Sequence, residues 1–446
     1  MANQPNNNLK SQNTSNGLEH KKKMDRYQID HKMAQFTIMM AIFIDVLGYS
    51  MILPLLPSIA QGAFGASNFT IGFLIASNAL AAFVFAPIWG KLSDKFGRKP
   101  FLIVSQMGTL TAFIILGFSD SLNMVFLSRI VDGIFGGQIP IIRAYIIDIT
   151  DSKTRSAEMG KITGAMAFGM IFGPAIGGLL GVLNWRYPVY VACFLSIFTI
   201  IFTFRYLQES MPKQRIQDAR QRKEAFKAQN RGKPRQVLTK IVIYRLIELF
   251  LVIFAFIMIN SSFPLVLTLR YGVNVAMIGL FASIAGIMMM ITGGLLIKPL
   301  IKKYGEKAMI LVALIISFAL FLIYPFLFEF WWIYVFIFPY IFAHMFTRSI
   351  LMTNLAEAVD EDNQGIVSGY AVNMMSIAQI TAPLLAYWYL ELWIVSIMGM
   401  QFDSYFLIGI TCALTTVLLF FLLIYDMKKH PEVFSKETLE TEDIRI

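Results

Sequence analysis

RAYIIDITDSKTRSAEMGKITGAMAFGMIFGP, Arg143 to Pro174, runs from the end of one apolar segment, through a short charged connector, into a second apolar segment studded with glycines. The pattern returns later in the chain. Arg348, Gly365 and Gly369 follow one another at the same intervals as Arg143, Gly160 and Gly164, again with a polar connector between apolar runs. The proline returns as Pro383, slipped from Pro174 by about one helical turn. Matches at one point in a matching succession of apolar segments point to two copies of a single design.

Composition says where such a design lives. Of 446 residues, 57% are hydrophobic and only 15% are charged, which excludes an ordinary soluble domain and fits a membrane protein. Windows such as Phe101 to Phe118 and Tyr405 to Tyr425 approach or reach the ~20 residues that span a bilayer. Cys193 and Cys412 both fall inside apolar segments, so no disulfide framework is implied. The expected order is a polar, disordered cytoplasmic tail (1–33), a six-helix bundle (34–207), a basic cytoplasmic linker (208–240), a second six-helix bundle (241–426) and a cytoplasmic tail (427–446). The fold class is thus all-α, with twelve transmembrane helices in two pseudo-symmetric bundles.

Charge placement supports that order. With the N-terminal tail in the cytoplasm, the even connectors fall there too, carrying Lys91, Lys95, Arg98 and Lys99, then Lys153, Arg155 and Lys161, then the linker with Arg215, Arg220 and Lys223, then Lys298, Lys302, Lys303 and Lys307. The outer connectors hold only Arg186 and Arg270, while Arg129, Arg143 and Arg348 lie within spans. This is the positive-inside pattern, with both termini cytoplasmic and a multi-pass chain in the cell membrane. The net charge of +10 therefore reflects topology and an anionic inner leaflet, not nucleic-acid binding.

Between spans 2 and 3 lies GKLSDKFGRK, Gly90 to Lys99. Here the chain resembles the major facilitator superfamily, whose hallmark in this connector is a glycine, an acid four residues on, then Gly-Arg-Lys. In physical terms Gly90 would let two helices approach, Asp94 would sit at the positive end of a neighbouring helix, and Gly97 would make the turn. Arg98, followed by Lys99, would reach Asp148, forming a latch between the halves on the cytoplasmic side. KPLIKKYGEK in the second half puts Lys302 where Asp94 stands, so the latch would be one-sided. Span 4 (LSRIVDGIFGGQIPIIRAYIIDITD) and span 5 (GAMAFGMIFGPAIGGLLG) look most like the tetracycline-efflux branch of that superfamily. Asp45, Gly48, Pro54 and Pro57 of span 1 fit the same branch. The Gly-Pro-x-x-Gly-Gly run, Gly173, Pro174, Gly177 and Gly178, is associated there with antiporters. Asp132, Gln138, Pro140 and Arg143 depart from the branch, which favours small residues at these places.

Gly169, Gly173, Gly177 and Gly181 recur every four residues and make a smooth strip along span 5 for another helix backbone. Asp45 lies roughly 16 Å into span 1 by helical rise, and Arg129 and Asp132 share a face of span 4. An isolated ion at such depth costs about 2.5–3.5 kcal/mol, so these three are expected to meet around a wet central cavity. Two carboxylates sharing one arginine cannot both be comfortably ionised, which makes a proton site; a static ion pair is the plainer reading. Asn78, Gln138, Asn260, Asn373 and Gln379 are polar positions that could line a path or bond between helices. His344 and Arg348, one turn apart, read first as packing. His20, His31, His344 and His430 have no metal-ligand spacing, and no Walker-type loop is present.

The resemblance implies a transporter without enzymatic activity or cofactor. It would be driven by the proton gradient, a monomer exporting a small amphipathic or hydrophobic organic compound by alternating access. Import or lipid flipping by the same architecture is the nearest alternative; a receptor or scaffold is a more distant one.

Overall fold

The computed structural model describes residues 31–151, 154–210, 238–392, 394–397 and 400–430. The N-terminal tail to residue 30, Lys153, the linker over 211–237 with its basic residues, and residues 431–446 lie outside the described residues. The first half holds α1 (His31–Ile52), the short α2 (Leu56–Phe64), α3 (Asn68–Phe96), α4 (Arg98–Gly117), α5 (Leu122–Phe135), α6 (Gln138–Ile149), α7 (Arg155–Leu183) and α8 (Arg186–Tyr206). The second holds α9 (Lys240–Tyr271), α10 (Val275–Ile291), α11 (Ile297–Tyr304), α12 (Glu306–Ile323), α13 (Trp331–Glu357), α14 (Glu361–Leu392) and α15 (Ser404–Lys429). A small hairpin of β1 (Ile394–Ile397) and β2 (Met400–Asp403), not expected from the sequence, joins α14 to α15.

Helices form because apolar residues dominate and backbone groups in lipid must bond within their own segment. Their starts are set by side chains. Ser67, Ser121, Thr239, Asn274 and Asp403 each accept a hydrogen bond from the backbone N–H three residues on. Eleven helical spans among the described residues are long and apolar enough to cross a membrane. The helix expected as the eleventh span, α14, runs 32 residues, but Asn373, Ser376, Gln379 and Thr381 interrupt its apolar run, so eleven and not twelve of the described helical spans meet that standard.

Two spans are discontinuous. Span 4 breaks at Gly136–Gly137 between α5 and α6, and span 8 carries a π-helical turn, Thr292–Leu296, between α10 and α11. Such breaks are tolerated inside a bilayer only where neighbours satisfy the freed backbone groups.

The halves touch along α3 with α14 and α7 with α10, from one end as far as Gly286 of α10 against Met170 and Ile171 of α7. The end carrying Leu207 and Lys240, where the halves are joined in sequence, is the linker end; the other is the far end. At the far end, a Cβ on Gly72 would lie 2.6 Å from Tyr387, and one on Gly178 would lie 3.0 Å from the Gly279 backbone. Asn68 of α3 also donates to the Leu390 carbonyl of α14 at 2.9 Å. Eighteen residues is about five turns, so it returns to the same helix face. Gly90 lies that far from Gly72 on α3, Gly160 from Gly178 on α7, and Gly365 from Pro383 on α14. At Gly90, Gly160 and Gly365, all at the linker end, a Cβ would meet nothing within 4 Å. The same helix faces are therefore closed at the far end and open at the linker end.

The core follows this division. One apolar cluster runs through the second half and takes in far-end residues of the first, including Met51, Leu56, Leu74 and Val189. The linker-end part of the first half, with Ile38, Leu102, Ile142 and Tyr145, is a separate cluster.

Gly279→Val should lower the melting temperature in detergent, because a side chain there overpacks against backbone at a cost of about 1–3 kcal/mol. Gly160→Ala, at the open end, should leave the melting temperature unchanged or slightly raised. Equal destabilisation by both would contradict the one-ended closure.

Candidate functional site

The break in span 4 organises the first half. Gly136 and Gly137 let α6 start afresh, and the carbonyls left free at the end of α5 are taken up by neighbours: the Trp89 indole N–H donates to Ile134 and the Ser105 hydroxyl to Phe135. Gln138, first residue of α6, is thereby turned inward. Its amide donates to Asp45 Oδ1 at 2.6 Å and to Thr109 Oγ1 at 3.3 Å. Asp45, Gln106, Thr109, Gln138, Ser196 and Thr199 line a small polar cavity among α1, α4, α6 and α8. The Asp45 face of α1 is also the Gly48 face, where a Cβ would meet Phe113 and Ala192 at 3.4 and 3.5 Å. Asp45 therefore looks into its own bundle.

The expected three-way meeting is corrected accordingly. Arg129 Nη1 pairs with Asp132 Oδ2 at 3.5 Å, and both residues are buried. Asn78 clamps that pair, donating to Asp132 at 3.0 Å and to the Arg129 carbonyl at 3.1 Å. Asp45 belongs to the Gln138 cavity, with no ion pair to Arg129 among the described residues. The two carboxylates still act on each other electrostatically, and Tyr49, one turn along α1 from Asp45, lies in the field of Asp45, Asp132 and Arg129. Tyr49 was not singled out from sequence; its place at i+4 from an intramembrane acid was the available signal.

The connector after α3 is built differently from the expected latch between halves. Arg98 bridges Asp94 at 2.6 Å and Asp148 at 3.1 Å, and donates to Ser93 Oγ at 2.8 Å, all within the first half. The acid at the start of α4 is Glu209, not Asp94: its carboxylate accepts the backbone N–H groups of Arg98 at 2.8 Å and Lys99 at 3.0 Å. Gly97, at φ +109°, leaves room for that carboxylate, since a Cβ there would lie 2.6 Å from Glu209. Lys99 Nζ reaches the Phe204 carbonyl at 2.8 Å. Gly90 makes no close helix approach in this state. The connector thus ties spans 2, 3, 4 and 6 of one half together.

The glycine strip of α7 divides between two partners. Gly169 and Gly173 lie against α1, where Ser50 donates to the Gly169 carbonyl at 2.9 Å, and Gly177 lies against Met51. Gly178 and the Pro174 carbonyl face α10 of the other half, and Gly181 lies between Leu55 of its own half and Val275 of α10. Among the remaining polar candidates, Asn260, Asn373 and Gln379 are exposed. Cys193 and Cys412 are free. No group of His, Cys, Asp and Glu among the described residues could hold a metal.

With two bundles, discontinuous spans and buried ion pairs in place, comparison with known proteins decides the family: residues 38–383 match the model of the Major Facilitator Superfamily. The chain belongs to that superfamily. It is 26% identical over 375 residues to the tetracycline resistance protein, class H, of Pasteurella multocida, covering 80% of this chain and 91% of that one. It is also 26% identical over 360 residues to multidrug resistance protein 2 of Bacillus subtilis, covering 80% and 89%. Among solved structures, the human organic anion transporter MFSD10 aligns with a TM-score of 0.64 at 21% identity, over 89% of this chain and 100% of that one. An inward-facing, unoccupied bacterial homologue of the lysosomal transporter Spinster aligns with a TM-score of 0.65 at 13% identity, over 90% and 97%. These two likenesses concern the fold. The protein is a multi-pass membrane transporter of this superfamily.

The second half of this transporter holds a buried cluster that sequence reasoning passed over. Arg245 is fully buried; it pairs with Asp426 at 3.3 Å and donates to the Asn354 carbonyl. Glu248, one turn along α9, is 1% exposed. The signal was Arg245 and Glu248 at i and i+3 in a span, with Asp426 at the end of the last one. His344 packs on Phe256, ring centroids 3.7 Å apart.

Arg245→Leu should destabilise the protein by about 3–5 kcal/mol, because it leaves buried acids uncompensated. The triple variant Arg245→Leu, Glu248→Leu, Asp426→Leu should recover much of that loss in thermal unfolding. A triple variant less stable than the single one would show that the cluster is more than a self-contained ion pair.

Proposed function

We propose that the protein is a proton-driven exporter of a small amphipathic organic compound, working by alternating access, with the linker end in the cytoplasm. The observation that carries this reading is the five-turn recurrence on α3, α7 and α14: one face packed through glycine or proline at the far end, and the same face open at the linker end. Rocking one half against the other would close the second end as it opens the first. The scarcity of Lys and Arg in the far-end connectors supports the orientation, so the state described is inward-open.

Proton coupling is assigned to Asp45 and Asp132. They act on each other, one is held by a neutral amide and the other by Arg129, and a carboxylate in an apolar span is functional by default. Export rather than import is supported by the tetracycline and multidrug resistance proteins among the relatives and by the Gly173-Pro174 run. The test is a substrate panel in proteoliposomes with the pH gradient imposed in either direction. Accumulation should reverse with the gradient, and Asp45→Asn should lose proton-driven accumulation while remaining folded in the membrane. Coupling unchanged in Asp45→Asn would remove that residue from the mechanism.

A further inference from the structure

Among the described residues, the three buried arginines are each matched with acid. Arg98 has Asp94 and Asp148, Arg129 has Asp132, and Arg245 has Asp426. Arg143 and Arg348 differ. They occupy corresponding places in the two halves, one on α6 and the other on α13, and among the described residues neither forms an ion pair.

Their positions show what they face. On α6 the exposed residues are Gly136 before its start, then Pro140, Arg143 and Ile147, while Gln138, Ile141, Ile142, Tyr145 and Ile146 are buried. Spacings of four, three and four make this one helix face, turned away from the Asp45 cavity. Arg348 is half-buried, and its Nη2 lies 3.9 Å from the Met375 thioether of α14. Arg143 and Arg348 thus stand at corresponding positions of halves that are open at the linker end, near enough for the charge of one to act on the other. Two cations facing each other inside a membrane protein repel, and the repulsion grows as water is excluded. A guanidinium is a planar fork suited to two-point binding of a carboxylate or phosphate, and it stays charged when desolvated.

We propose that Arg143 and Arg348 form an anion-binding site between the halves, and that the cargo is an amphipathic organic anion whose carboxylate, sulfonate or phosphate sits between the two guanidinium groups. The inference rests on the transporter reading above and names its substrate class. Ile147 beside Arg143 and Met375 beside Arg348 offer the carbon body an apolar surface. The anion also removes the repulsion that opposes closure at the linker end, so a loaded carrier closes there more readily than an empty one.

The test uses the full chain purified in detergent and two dyes of related ring system, anionic 6-carboxyfluorescein and cationic rhodamine 123. Fluorescence anisotropy should show saturable carboxyfluorescein binding that weakens with salt. Each of Arg143→Gln and Arg348→Gln should weaken it by about tenfold or more, the loss of one charge-assisted contact, and Arg143→Lys should retain part of the affinity. Size-exclusion profiles and melting temperatures should match the parent, because neither arginine has an acid to leave unpaired. No saturable carboxyfluorescein binding by the parent, or equal binding by both Gln variants, overturns the site. Proton-driven rhodamine 123 transport with no carboxyfluorescein binding would sink the anion site alone. Carboxyfluorescein binding without proton-driven transport of either dye would sink the proposed export and leave the site standing.

Discussion

Everything in this molecule depends on backbone touching backbone where the two halves meet. Gly178 against Gly279, and Gly72 against Tyr387, bring helices from opposite halves within van der Waals distance at the far end. Lipid offers no hydrophobic drive for helices to associate, so such contacts rely on close packing, which only small residues permit. Because the contact runs from the far end only to about mid-span, where Gly286 lies against Met170 and Ile171, and leaves the linker end open, the halves are joined like a wedge. The apolar cluster that crosses between halves only at that end says the same thing in terms of side chains.

Within each half the constraint is electrostatic. Ions placed in a low-dielectric slab must find partners, and the two halves solve this separately. The first half holds Arg129 with Asp132, and Asp45 with Gln138; the second holds Arg245 with Asp426 beside Glu248. The first arrangement lies deep within spans next to a polar cavity, and the second lies near a helix start among apolar neighbours. Repetition of the fold has therefore not meant repetition of its charges. Within the spans, Arg143 and Arg348 do recur at corresponding positions.

Much of the architecture was legible in the sequence because hydropathy and the Lys/Arg bias report directly on a bilayer. The repeat of Arg143, Gly160 and Gly164 as Arg348, Gly365 and Gly369 located equivalent helices correctly. Which way an intramembrane side chain turns was much less legible. Asp45, Arg129 and Asp132 were read as one group from depth alone, whereas the break at Gly136–Gly137 and the packing of Gly48 on α4 and α8 decide that Asp45 faces Gln138. A motif also identifies its residues better than their partners. The connector residues sit where expected, but Glu209 takes the helix-start role assigned to Asp94, because only the folded chain brings the end of span 6 beside the start of span 3. α14 was expected as one of the twelve spans, and it is a continuous helix of 32 residues even though Asn373 and Gln379 keep it below the hydropathy that the other spans reach.

The interruption of span 4 has a mechanical meaning. α6 is a rod of 12 residues, joined to the far-end segment through Gly136–Gly137 and held at that tip by the bonds from Gln138 to Asp45 and Thr109. Gln138 at its tip and Arg143 in its middle belong to one unbroken helix, so a tilt of that helix that loosened the amide from Asp45 would also re-aim the guanidinium. A proton and a cargo molecule bound on opposite sides of that rod would feel each other's arrival through leverage, with no wire of contacts required between them.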